Sequence, residues 1–181
     1  MARYISILRG INVGGRRKIL MVDLKLLYKK LGFSNVTTYI QSGNAAFDYA
    51  KKDSQIILGQ KIKQAIDKAY GFDVPVIIRT VEEIKQAIAI NPFLKETDDI
   101  EGLFLAFLAE EPSKENLIKL ESIEFPNDEF EVIGKNVFIY CSGRFSDSKL
   151  TNNFFESKLK VTATTRNWKT VKKLCEIGAD N

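Results

Sequence analysis

Residues 8–15 read LRGINVGG and place an arginine (Arg9), an asparagine (Asn12) and three glycines (Gly10, Gly14, Gly15) directly after an apolar run. Glycine serves where the backbone takes positive φ or approaches a neighbour closely. Such a loop can aim backbone N–H groups at one point and hold an anion there, next to the start of a helix. Arg9 adds a guanidinium suited to bidentate contact with carboxylate or phosphate, and Arg16, Arg17 and Lys18 follow at once. The segment lacks both the Gly-Lys-Ser/Thr ending of a P-loop and the glycine spacing of a dinucleotide site. The same residues also suit a tight strand exit in which Asn12 bonds its own backbone. Two further segments carry polar groups: Ser42-Gly43-Asn44 and Arg166-Asn167. A hydroxyl and an amide at a hairpin tip can read a polar ligand, and they are also ordinary turn residues. Arg166 at the head of a helix opposes the macrodipole, so helix stability alone does not explain it. Trp168 beside it could stack on a ring, but on an apolar helical face it reads as core.

What is missing narrows the chemistry further. The chain has no histidine and two cysteines, Cys141 and Cys175. Ser-His-Asp and Cys-His catalysis in their usual forms are excluded, as are imidazole zinc sites. Two cysteines cannot close a tetrahedral metal site by themselves, and no tight carboxylate cluster calls for magnesium; no cofactor is implied. Any acid or base must be a carboxylate, lysine, tyrosine or cysteine. Tyr39, Tyr140, Cys141 and Lys149 lie near the motif segments without an evident base, so no reaction class follows. With 27 Lys+Arg against 23 Asp+Glu, the balance is mildly basic: compatible with an anionic partner, too small to argue for nucleic acid alone. The first residues lack the sections of a secretory signal, and no apolar run approaches the ~20 residues of a membrane span. The expectation is a cytoplasmic protein with no membrane partner.

Hydrophobic spacing supplies the elements that must position these groups. Residues 4–11 read as a central strand, and Met21, Leu24, Leu27, Tyr28 and Leu31 as a helix ended by Gly32. Residues 36–40 and 45–47 flank the Ser42-Gly43-Asn44 turn as a hairpin. Asp53 or Ser54 caps a helix carrying Leu58, Ile62 and Ile66, residues 74–79 form a strand, and Thr80 with Glu83 opens a short helix as a capping box. The order then recurs. Residues 103–108 form a strand, Pro112-Ser113 opens a helix, and residues 130–133 and 137–140 make a second hairpin. Asp147 or Ser148 caps a helix with Leu150, Phe154 and Leu159, residues 161–165 form a strand, and Arg166-Asn167 leads into a last helix. The pattern predicts an α+β protein of two tandem ferredoxin-like halves, each βαββαβ plus a closing helix with an antiparallel sheet. The halves are residues 1–91 and 102–181, joined by a linker at 92–101 that holds Pro92 and an acidic run.

The segments LRGINVGG, YIQSGN (39–44) and TTRNWKT (164–170), with Asn91-Pro92-Phe93 between them, resemble the bacterial family known as domain of unknown function 1697. The Cys141-Ser142 step departs from the resemblance, since proline is expected before Gly143; this weakens Cys141 as a shared nucleophile. The resemblance implies a two-domain α+β protein and no established activity. The leading expectation is a small anionic ligand, phosphorylated or carboxylate, bound near Arg9, Gly10, Asn12, Gly14 and Gly15, with Ser42, Asn44, Arg166 and Asn167 contributing. Nucleic-acid binding through a sheet face and a protein-interaction module are the alternatives.

Overall fold

The computed structural model describes residues 1–95 and 100–179. Its first half runs β1 (Ala2–Leu8), α1 (Met21–Lys30), β2 (Ser34–Tyr39), β3 (Asn44–Tyr49), α2 (Gln55–Tyr70), β4 (Val76–Thr80) and α3 (Val81–Ala89). After 3-10 turns at Pro92–Lys95 and Ile100–Gly102 come β5 (Leu103–Leu108), α4 (Lys114–Glu121), β6 (Asp128–Ile133) and β7 (Asn136–Cys141). A turn at Phe145–Asp147, α5 (Asn152–Leu159), β8 (Ala163–Asn167) and α6 (Trp168–Ala179) complete the order. The fold is mixed α+β, with two four-stranded antiparallel sheets ordered β2-β3-β1-β4 and β6-β7-β5-β8, and six α-helices among the described residues. The chain divides into two compact units, Met1–Gln86 with Lys173–Asn181, and Ala87–Lys172. Part of the expected acidic linker run, Glu96 to Asp99, lies outside the described residues. Phe93, expected in the linker, is 8% exposed, and its N–H donates to the Asn91 side chain at 3.0 Å.

In the first unit β1 is central, pairing Tyr4 with Phe47 of β3 and Ile5 with Arg79 of β4. Alternation along the strands turns Leu8, Phe47 and Tyr49 toward α1 and α2, where Leu24, Tyr28, Leu58 and Ile62 close the core. Phe47 stacks on Phe33 at 4.3 Å, and Tyr28 meets it edge-on at 5.5 Å. The helix punctuation follows the chemistry of the side chains. Gly32, at φ +84°, ends α1 by donating to Lys29 O, and Phe33 N reaches back to Tyr28 O. Ser54 caps α2 by accepting from Ile57 N, and Thr80 and Glu83 exchange the reciprocal bonds of a capping box at α3.

In the second unit α4 and α5 cover one face of the sheet with Leu120, Phe155 and Leu159, joined by Leu150 just ahead of α5. Helix α5 starts later than its spacing suggests. Neither Asp147 nor Ser148 caps it, because the Ser148 hydroxyl donates to Asp128 at 2.7 Å and accepts from Leu150 N. Thr151 is the cap, accepting from Phe154 N at 3.2 Å. Arg166 and Asn167, expected beyond the strand at the head of the last helix, are the last two residues of β8. Trp168 is 1% exposed and belongs to the interior.

Candidate functional site

The glycine-rich segment leaves β1 under tight control. Leu8 N donates to Gly43 O and Arg9 N to Pro75 O, both at 3.1 Å, so the strand exit is held from both sides. Beyond it a small hairpin forms: Arg16 N donates to Val13 O at 3.0 Å, and Asn12 N to Arg17 O at 3.1 Å. Its two central residues, Gly14 and Gly15, have φ +56° and +73°, the positive pair that a type I′ turn requires. Asn12 (φ +56°) and Arg17 (φ +48°) are left-handed as well. The Asn12 amide then locks the base of the loop. It accepts from Ile19 N at 2.9 Å and donates to Ile19 O at 2.9 Å and to Gln41 O at 2.8 Å.

The Gln41 bond joins this loop to the β2–β3 turn. Gly43, at φ +79°, sits so close beneath the loop that a Cβ there would lie 2.7 Å from both Leu8 Cβ and Ile11 Cδ1. Asn44 is wholly buried and donates to Ser42 Oγ at 2.9 Å and to Tyr39 O at 3.3 Å. Two of the three motif segments are therefore one interlocked structure. Within it Asn12, Gly43 and Asn44 build the shape, Arg9 and Ser42 are half-buried, and Arg16, Arg17 and Lys18 are exposed at the tip. No ion pair joins these three cations to a described residue. The Arg17 guanidinium lies over Gly10, where a Cβ would come within 3.3 Å of Nη1. Sequence reasoning placed Arg16, Arg17 and Lys18 beside the site rather than in it. The signal that could have promoted them is the Val-Gly-Gly-Arg run, which reads as a two-residue hairpin presenting its flanks.

Arg166 and Asn167 belong to the second unit. Asn167 is the N-cap of α6, its Oδ1 accepting from Thr170 N at 2.8 Å. Arg166 donates from Nη1 to Thr165 O at 3.0 Å, and burial pushes its guanidinium down to about 10. Arg79 in the first unit repeats this pattern. It sits opposite Ile5 as Arg166 sits opposite Leu105, it donates from Nη1 to Ile78 O at 2.9 Å, and burial pushes it down to about 10 against the pull of Glu83.

The remaining reactive groups are quiet. Cys141 is buried and its thiol is pushed up to about 11, mainly by that burial; burial also raises Cys175. Lys61 donates to Asp53 and, at 3.0 Å, to the Tyr49 hydroxyl, which itself donates to Asp53 at 2.8 Å. The hydrogen bond from Lys61 leads in holding the Asp53 carboxyl below the usual range, so this half-buried cluster is an ion pair and no poised base. Among the described residues no group of three or more Cys, Asp and Glu could hold a metal ion, and no helix is long and apolar enough to cross a membrane.

Comparison with known proteins agrees with the architecture. A conserved bacterial protein from Streptococcus pneumoniae, SP0830, superposes with a TM-score of 0.76 at 26% identity, covering 97% of this chain and 98% of its own. No curated protein matches. The family model described as "Protein of unknown function (DUF1697)" matches residues 1–138, a span that includes the whole interlocked loop and turn. The chain thus belongs to the DUF1697 family.

Proposed function

We propose that the protein binds a small anionic ligand, bearing phosphate or carboxylate groups, on the loop from Arg9 to Lys18. The observation that carries this reading is the rigid presentation of Arg16, Arg17 and Lys18 on a hairpin locked by Asn12 and Gly43. A pinned backbone has little entropy left to lose, so more of each charge-assisted hydrogen bond appears as affinity. The exposed turn at Gly14 and Gly15 lets an anion approach the backbone closely. Arg9 and Ser42 lie at the base of the same structure. Base stacking on the sheet has less support, because Phe47 and Tyr49 are 0% and 4% exposed and offer no ring to a base. Each half is further read as ferredoxin-like, supported by the βαββαβ order and the β2-β3-β1-β4 arrangement. The free thiols Cys141 and Cys175 support a reducing, cytoplasmic setting.

The test is a thermal-shift screen with pyrophosphate, nucleotides, sugar phosphates and di- and tricarboxylates, on the wild type and on Arg16→Ala/Arg17→Ala. A ligand at a hundred times its Kd adds about 2.7 kcal/mol, a rise of roughly 5–10 °C for a chain of this size. The reading expects such a shift in the wild type and its loss in the double variant. A shift that survives in the variant moves the site elsewhere, and silence across the panel removes the ligand.

A further inference from the structure

The chain as a whole carries a net charge of +4, yet in one groove of its second unit every charged lining residue among those described is a carboxylate. It has a volume of about 560 Å³ and runs along β6, with Glu121, Glu124, Asp128, Glu129 and Glu131 on its walls and no lysine or arginine among its described lining residues. Its floor is apolar: Phe93, Phe125, Phe130 and Val132 line it. Asp128 is engaged by Ser148, whereas Glu129 and Glu131 are exposed and form no ion pair with a described residue.

β6 is also an edge strand. It pairs with β7 from Asp128↔Cys141 to Ile133↔Asn136, and no described strand pairs with its other side. The outward N–H and C=O groups of alternate residues are left for a partner or for water. Proteins commonly blunt such an edge with charged side chains, lysine above all, with proline or with a bulge. The β6 sequence DEFEVI has neither lysine nor proline and its register with β7 is unbroken; its charges are all carboxylates, which repel an acidic strand and attract a cationic one.

We propose that this edge is a docking surface for an extended cationic peptide, a segment alternating lysine or arginine with apolar residues, which adds to the sheet beside β6. An added strand would take its main-chain hydrogen bonds from the open edge. Its period of two would send alternate side chains to opposite faces, so that cations meet Glu129 and Glu131 while apolar residues meet Phe130 and Val132. Carboxylates at the rim select the sign of the partner and speed its approach, and the aromatic floor holds it. The surface is built from residues of the second unit, shares none with the Arg9–Lys18 loop and does not depend on that loop's ligand.

Fluorescence polarisation tests the assignment with a labelled octapeptide alternating lysine and valine, titrated with the full-length protein. Binding is expected to weaken by about ten-fold or more in Glu129→Lys/Glu131→Lys, and by a smaller factor in Glu129→Gln/Glu131→Gln, which keeps the side-chain shape should charge reversal disturb folding. A peptide N-methylated at alternate amides should lose binding, since it cannot pair with the edge. The proposal is overturned if the lysine–valine peptide fails to bind, or if an alternating glutamate–valine peptide or the N-methylated peptide binds as tightly. Displacement by spermine at equal affinity would also overturn it, by reducing the groove to a sink for any polycation.

Discussion

At Arg17 the backbone takes φ +48° on an exposed hairpin, a conformation glycine adopts freely and other residues at a cost of about 1–2 kcal/mol. Holding an arginine there keeps its guanidinium over Gly10 and beside Arg16 and Lys18, so the local strain and the candidate chemistry sit on one residue. Arg17→Gly should therefore keep the wild-type urea midpoint or raise it slightly, while any anion-induced thermal shift falls. A clear loss of stability would mean that Arg17 supports the fold instead. Asn12 is the opposite case. It is also left-handed, but its amide makes three hydrogen bonds to the backbone around it. Asn12→Ala loses those bonds and adds the left-handed penalty, an expected cost of roughly 2–4 kcal/mol. Asn12→Gly loses the bonds alone and should fall between alanine and wild type in denaturant titrations. Equal midpoints for all three proteins would remove the amide from any part in shaping the loop.

Among the elements, α6 shows how one asparagine answers to two descriptions. Asn167 reads from its motif as a ligand contact, and in the structure its side chain accepts from Thr170 N and opens the helix. Asn167→Ala should cost about 1 kcal/mol, and Asn167→Asp, which caps as well, should restore the melting temperature. Failure of aspartate to rescue would point away from capping. What the sequence revealed and what it hid follow the same physics. Turns and caps that act within four residues were legible: Gly32 after α1, Gly43 in the hairpin, and Thr80 with Glu83 at α3. The start of α5 was not, because Ser148 and Thr151 are equally good caps on paper. Only a carboxylate twenty residues away, Asp128, decides between them by claiming Ser148. The same holds for Asn12, whose decisive partner is Gln41 O, and for the joining of the loop to the β2–β3 turn through Gly43. Pairings between distant segments leave no period in the sequence, so the motifs were visible singly while their contact was not.

On the scale of the whole molecule, the first unit is closed by both ends of the chain, and Arg3 is the clamp. Its Nε and Nη2 donate to the carbonyls of Gly178 and Ile177 at 3.0 Å, satisfying the last turn of α6 with a cation where the helix dipole favours one. Its Nη1 donates to Asp48 at 3.0 Å, and Asn35 donates to the other oxygen of that carboxylate at 2.6 Å. Burial by itself would raise the Asp48 carboxyl, but the hydrogen bonds from Asn35 and Arg3 outweigh it and hold the group below its ordinary value. A carboxyl depressed in the folded state gives stability that is fully present above the unfolded value of about 4 and is lost as pH falls through the folded value. The Arg3 and Asp48 side chains are only 12% and 10% exposed, so solvent screens the pair little. Asp48→Asn, which leaves the Arg3 charge without its counter-ion, should cost roughly 3 kcal/mol at neutral pH. The deficit of Asp48→Asn relative to wild type should then shrink as pH drops below about 4, because protonation removes from the wild type the charge that the variant already lacks. Urea titrations of both proteins across that range check it. A deficit that stays constant to the acid limit would show that the Asp48 charge is not what holds the α6 end against β1.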